Sequence, residues 1–242
     1  MGESFGAWRM GSDAELMNYV SSVNIACGFH AGDATVMRKT VEAAVKKGIA
    51  VGAHPSFPDL QGFGRREMSL SAQEIFDVTL YQISALKGIC EASGVKLRHI
   101  KPHGALYNQA AKNSQIAQAI AEAVKAIDKN LIFYGLSGSF LISEAENIGL
   151  QTASEVFADR TYQADGSLTP RTEPNALIET SDQAVAQILQ IIMEQKVTAV
   201  NGETFALKAE TVCIHGDGEN ALEFARAVRE QLINNGIKIQ PR

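Results

Sequence analysis

Two hydrophobic periods alternate along the chain. Short, nearly continuous apolar runs (VNIAC, IAVGA, VKLRHIK, LIFYGL and the stretch ending at Ile214) predict buried strands. Between them, apolar residues return every three or four positions, the spacing of a helix with one buried face. Asp33 stands where it can cap a helix with the stripe Val36, Met37, Val41, Ala44 and Val45; Lys46 and Lys47 lie near its negative end and Gly48 stops it. Ser71 and Glu74 have capping-box spacing before Phe76, Leu80, Ile83, Leu86 and Cys90, and Gly94 ends that helix. Ser114 opens a helix with Ile116, Ile120, Val124 and Ile127. A helix near 139–147, a strand near 152–157, and helices through Val185, Ile188 and Ile192 and through Phe224, Val228 and Leu232 complete the series. An Asn201-Gly202 turn between KVTAV and FALKAETVCI predicts an added β-ribbon.

Regular β/α alternation implies a parallel sheet covered by helices, either closed as a barrel or open and doubly wound. Polar residues follow nearly every strand instead of gathering at one switch point, which suits a closed or nearly closed barrel with a ring of loops at one mouth. With 242 residues and 45% apolar content, we expect one domain spanning 1–242.

Four of the five histidines stand where a strand-like run gives way to a loop: His30 in NIACGFH, His54 in IAVGAH, His103 in KLRHIKPH and His215 in VCIHGD. The carboxyl ends of parallel strands share one edge, so these distant residues can meet around a ligand. Strand alternation puts His99, Lys101 and His103 on one face, with His99 deeper and expected to be a hydrogen-bonded interior residue. Lys101 can stabilise negative charge on an oxygen, and His30, His54 and His103 can move protons. Glu155 is a candidate base; Arg160 is a substrate-binding candidate, or Asp159 and Arg160 form only an ion pair that stiffens their loop. Arg65 and Arg66, in the GFGRR loop, offer forked donors for a carboxylate, or are solvated surface residues. Tyr107 and Asn108, placed in the loop after the KPH segment, can orient a ligand or serve packing and turn formation. Asp33 is a cap or a ligand-binding carboxylate. His215, a further catalytic candidate, and Asp217, a substrate-binding candidate, precede the last helix, whose amino end favours an anion unless Asp217 fills that position as cap.

The charge balance, 22 basic against 27 acidic residues for a net of −5, comes without a basic run, which argues against nucleic-acid or anionic-membrane partners and for a small-molecule substrate. No apolar stretch reaches the roughly 18 residues of a membrane span, and MGESFGAWRM lacks a signal-peptide pattern, so a cytoplasmic protein is expected. Cys27, Cys90 and Cys213 form neither a C-x-x-C pair nor a disulfide ladder and are expected to be small hydrophobes.

The segments NIACGFHAGD, GAHPSFPDLQGFGRR, HIKPHGALYNQAA, SEVFADRTYQADGSLTPR and TVCIHGDGENAL, in this order, resemble the LamB/YcsF family, which includes one component of bacterial 5-oxoprolinase. The resemblance runs nearly end to end. It implies a distorted parallel β/α barrel of the glycoside hydrolase and deacetylase type, and ATP-dependent opening of 5-oxo-L-proline to L-glutamate together with subunits B and C. Arg65 and Arg66 would then face a carboxylate that 5-oxoproline carries.

Relatives usually begin with an apolar strand of the type D-L-N-x-D-x-G-E, whereas this sequence starts inside that motif at Met1, Gly2 and Glu3; the barrel's first strand is expected to be missing, with the natural protein roughly ten residues longer. Glu3 remains as a substrate-binding candidate. ATP is expected to be handled with the partner subunits, because no G-x-x-x-x-G-K-[ST] loop occurs. A divalent metal is chemically compatible with His30, His54 or His103, but without H-x-x-x-H and without the strand-one carboxylate no protein metal site is assigned. A homo-oligomer is compatible with the sequence. The competing functions are a metal-dependent deacylase or carbohydrate deacetylase on the same fold, and a noncatalytic scaffold within the complex.

Overall fold

The computed structural model describes residues 1–218 and 220–241. In chain order the elements are α1 (Asp13–Leu16), β1 (Ser22–Ala26), α2 (Ala34–Lys46), β2 (Ala50–His54), α3 (Ala72–Ala92), β3 (His99–Ile100), α4 (Gly104–Lys112), α5 (Ser114–Ile127), β4 (Ile132–Leu136), α6 (Phe140–Asn147), β5 (Gln151–Phe157), α7 (Ser181–Glu194), β6 (Lys196–Thr198), β7 (Thr204–Ala206), β8 (Thr211–Cys213) and α8 (Ala221–Asn234).

The helix starts follow from their caps. Asp33 Oδ1 accepts the backbone N–H groups of Thr35 and Val36 at 2.8 and 2.9 Å, satisfying donors that the first turn of α2 leaves open. At α3 both halves of the capping box form: the Glu74 N–H donates to Ser71 Oγ, and the Ser71 N–H donates to the Glu74 carboxylate. Asn113, one residue before the expected start, caps α5 through the N–H groups of Gln115 and Ile116. The apolar stripes face inward: Ile83 and Leu86 of α3 and Ile120 and Val124 of α5 are fully buried, each stabilising the fold by roughly 1.5–3 kcal/mol relative to exposure. Val45, expected in the α2 stripe, is instead partly exposed near the helix end.

Six strands form one parallel sheet in the order β1-β2-β3-β4-β5-β8, curled into a half-barrel with the helices outside. This is the distorted β/α barrel expected. Its open side lies between β1 and β8. There, the Met1 ammonium donates to the Asn24 carbonyl at 2.8 Å and the Ala26 N–H donates to the Met1 carbonyl at 3.0 Å, one rung of a parallel ladder on the outer edge of β1. A cleft of about 310 Å³ separates the two edges, lined by Ser22 and Asn24 on one side and Thr211 and Cys213 on the other.

Three expectations need correction. The residues after the KPH segment form α4 and not a loop, so Tyr107 and Asn108 sit on a helix. The ribbon is shorter than expected: β6 pairs antiparallel with β7 alone, while β8 joins the main sheet, pinned by the Glu210 N–H on the Ser154 carbonyl. VKLRHIK contributes only His99 and Ile100 as strand, because the chain turns at Pro102 into α4.

Candidate active site

The carboxyl ends of the strands deliver the site. His30 lies in the loop after β1, His54 is the last residue of β2, Lys101 and His103 follow β3, Glu155 is on β5, and His215 follows β8. His54, Lys101, His103 and His215 line a cavity of about 1240 Å³ at this mouth, together with Tyr107, Asn108, Arg65, Arg160 and Arg171.

One wall is made of imidazoles, with His54 and His103 lining the cavity and His30 buried against His103, lining neither the cavity nor the cleft. His30 and His103 stack face to face, with centroids 3.9 Å apart and planes 12° apart, and His54 stands edge-on to His103 at 4.9 Å. Phe63 closes the group edge-on to both stacked rings, at 5.7 and 5.2 Å. Its backbone has φ 55°, a left-handed conformation rare for a bulky residue, and Gly64 follows at φ +64°. A Cβ on Gly64 would lie 2.8 Å from the His30 Cβ and 2.9 Å from His103 Nδ1, so only glycine lets this loop close against the rings.

These histidines are held neutral. Burial lowers the His30 pKa to about 3, with the amino terminus and Arg65 adding to the effect. Burial likewise takes His54 and His103 well below the ordinary value; the Lys101 charge adds to the shift of His54, and the other imidazoles add to that of His103. His54 Nδ1 lies 2.6 Å from the Lys101 carbonyl, which can only accept; Nδ1 therefore carries the proton and Nε2 is the basic nitrogen. Among the described residues neither ring nitrogen of His30 has a hydrogen-bond partner, although the side chain is buried.

The opposite wall is made of paired charges. Lys101 Nζ lies 2.7 Å from a Glu155 carboxylate oxygen and 3.0 Å from Cys213 Sγ, and both members of the ion pair are buried. Tyr107 Oη donates to the other Glu155 oxygen at 2.8 Å. Burial alone would lower the lysine pKa, but Cys213 and Glu155 outweigh it and raise it, so Lys101 stays an ammonium. The Cys213 thiol is pushed up to about 12 by burial. Its sulfur is a contact for Lys101, where its sequence neighbourhood predicts only an apolar filler.

Farther out, His215 Nδ1 lies 2.8 Å from Asp159 Oδ2, and the backbone N–H of His215 donates to the same carboxylate at 3.0 Å. Burial would raise the Asp159 pKa, yet the His215 contacts bring it down to about 2, so a carboxylate orients this imidazole. The expected Asp159 and Arg160 pair does not form. Arg160 is buried and donates to the carbonyls of Thr169 and Ala176, which fixes the loop over the cavity instead of leaving a free cation. Arg65 binds Asp217 at 2.6 Å, and its guanidinium lies 4.9 Å from the Phe63 ring centroid. Asp217 therefore answers a cation; α8 begins after Asn220.

Two predicted ligand-binding residues, Arg66 and Asp33, have other duties, while Glu3 stays beside the site. Arg66 is mostly exposed and clasps Asp59, whose carboxylate also accepts the Gly62 N–H; it shapes the Phe63-Gly64 turn and lines neither the cavity nor the cleft. Asp33 spends one oxygen on the α2 cap and the other on the Gly6 N–H at 2.8 Å. Glu3, 3.7 Å from the Met1 ammonium, lines the cleft beside β1 together with His54, Lys101, His103 and Glu155. His99 is structural as expected: its Nε2 lies 2.9 Å from Asn24 Oδ1 and its ring stacks on Tyr134. Sequence reasoning missed Asn24, Asp59, Phe63, Cys213 and Arg171. A polar residue inside the apolar run VNIAC was the signal for Asn24.

Glu3, His30 and His103 bring potential ligand atoms within 4.8 Å of one another. The two imidazoles are nearly parallel, so their in-plane lone pairs run side by side and do not converge on a common point. As arranged, this donor set does not fit a divalent ion.

Comparison with known proteins supplies the family. The chain is 59% identical over 240 residues to the 5-oxoprolinase A subunit of Tolumonas auensis, covering 99% of this chain and 96% of the relative. It is 54% identical over 239 residues to the protein of the same name from Bacillus subtilis, covering 99% and 93%. The solved structure of a lactam utilization protein from Thermus thermophilus superposes with a TM-score of 0.93 at 45% identity, over 99% of this chain and 96% of that one. A putative cellobiose-phosphate cleavage protein from Enterococcus faecalis, 12% identical with a TM-score of 0.56 over 93% of this chain and 88% of that one, shares the fold alone. The model of the LamB/YcsF family matches residues 1–242, and the chain belongs to that family.

Proposed function

We propose that this chain is the ring-opening component of an ATP-dependent 5-oxoprolinase, acting with partner subunits B and C. A lactam resists water because its nitrogen donates into the carbonyl. Transfer of a phosphoryl group from ATP to the carbonyl oxygen, assigned here to the partners, makes the ring carbon a stronger electrophile.

In this reading the neutral imidazole wall takes a proton from the attacking water, with His30, His54 and His103 as the candidate bases. The C–N bond then breaks, its electron pair goes to nitrogen, an imidazolium returns the proton there, and the acyl phosphate left on the carbon is hydrolysed by a second water, releasing phosphate and glutamate. The ammonium of Lys101 has three N–H donors; two face Glu155 and Cys213, and the third is available to a developing oxyanion. His215, oriented by Asp159, is a second proton carrier on the far side of the cavity.

The observation that carries the proposal is the stacked, neutral pair His30 and His103 sharing a mouth with the buried cation Lys101. The names of the similar proteins supply the lactam. Reconstitution of the chain with subunits B and C tests it: glutamate forms from 5-oxoproline and ATP only with all three present. Full turnover by B and C alone would refute it.

A further inference from the structure

The cations around the large cavity are already engaged, with one exception. Arg65 binds Asp217, Lys101 binds Glu155, and Arg160 is spent on two carbonyls. Arg171 also lines the cavity, on the loop between β5 and α7, and among the described residues it makes no hydrogen bond or ion pair. Arg171 is exposed to solvent and lines the same cavity as Arg65, Lys101, His103 and His215. An uncommitted guanidinium beside a proton-transfer site is a fork for a planar anion.

We infer that Arg171 is the receptor for the carboxylate of the lactam substrate. A lactam acid approaching the mouth meets this cation with its whole fork open, whereas at Arg65 it would share the guanidinium with Asp217. Two parallel N–H donors from Arg171 would fix the ring's orientation and leave its amide edge toward His103 and Lys101. Selectivity follows: a lactam lacking the acid has nothing to offer the guanidinium. The inference rests on the lactam reading above and adds to it the group that selects the substrate.

Calorimetric titration of the full chain with 5-oxoproline and with 2-pyrrolidone, the same ring without a carboxylate, separates the two. Wild-type chain is expected to bind 5-oxoproline the more tightly. Arg171→Gln should weaken 5-oxoproline binding about 10- to 100-fold, the range for a hydrogen bond to a charged group, and leave 2-pyrrolidone unchanged. Arg171→Lys, which keeps the charge but not the fork, should recover part of the loss. Unchanged 5-oxoproline affinity in Arg171→Gln, or equal loss of both ligands, would overturn the assignment while wild-type binding leaves the lactam reading standing. Wild-type chain that binds neither lactam would overturn the Arg171 assignment, and the ring-opening reading is then decided by the reconstitution assay.

Discussion

The two walls of the mouth solve opposite problems. The wall from β1, β2 and β3 gathers His30, His54 and His103 in neutral form, with few hydrogen bonds and with rings packed on one another and on Phe63. The other side gathers charged groups, and nearly every one is answered: Lys101 from the end of β3 by Glu155 on β5, Asp159 by the ring and backbone N–H of His215, Arg65 by Asp217. Burial explains both outcomes. An imidazole enclosed without a carboxylate escapes the cost of burial by staying unprotonated, whereas a lysine cannot give up its proton so readily and must be paired. Proton acceptors and fixed charge thereby line one cavity without neutralising each other.

Replacing a ring on the neutral wall disturbs this contrast most severely. His103→Asn and His30→Asn should each lower glutamate formation by about 10²–10⁴-fold, the span for a general acid or base, in assays of the reconstituted complex. On the charged wall, Lys101→Met should lower the rate by about 10²–10³-fold, as for loss of an oxyanion donor. It should also destabilise the chain by about 3–5 kcal/mol in urea unfolding, because Glu155 is left buried without its cation. Adding Glu155→Leu should restore most of that stability and none of the activity. The double variant thus separates the pair's structural role from the lysine's chemistry.

Protonation tests the neutral wall in the wild-type protein. His30 and His99 titrate at about 3 in the fold against an ordinary 6.5, so between these values the unfolded chain takes up protons that the folded chain refuses. Stability should therefore fall as pH drops from about 6.5 toward about 3, by up to about 1.4 kcal/mol per pH unit for each such histidine. Unfolding midpoints across that range should show the slope, and His99→Gln should reduce it by one group's share. The smallest effect is expected away from both walls. Asp33→Ala removes the α2 cap and the Gly6 contact, so a modest fall in Tm with unchanged turnover is predicted, measured by thermal unfolding and the glutamate assay.

Much of this was legible from side chains whose meaning is local. The caps at Asp33 and at Ser71 with Glu74, the helical stripes, and the placing of histidines at strand ends each depend on a few neighbouring residues, and the fold uses them as expected. What escaped depends on contacts across the chain. Pro102 and Gly104 mark a turn, so α4 was hidden behind its own breakers, and its N-cap, His103, makes no capping bond that would have announced it. The Arg65 and Asp217 pair joins residues 152 positions apart, and the Lys101 to Cys213 contact spans 112. No spacing rule reaches so far. Arg66 and Arg65 look equivalent in GFGRR, yet Asp59 claims one and the cavity receives the other.

The proposed activity rests on a division of labour: activation of the lactam elsewhere, opening of the ring at this mouth. The direct measurement is the ratio of glutamate formed to ATP consumed by the reconstituted complex carrying His103→Asn. Continued ATP consumption with glutamate output sharply reduced is expected, as the activated lactam is no longer opened. Glutamate produced at the wild-type rate and ratio would show that the ring is opened somewhere else.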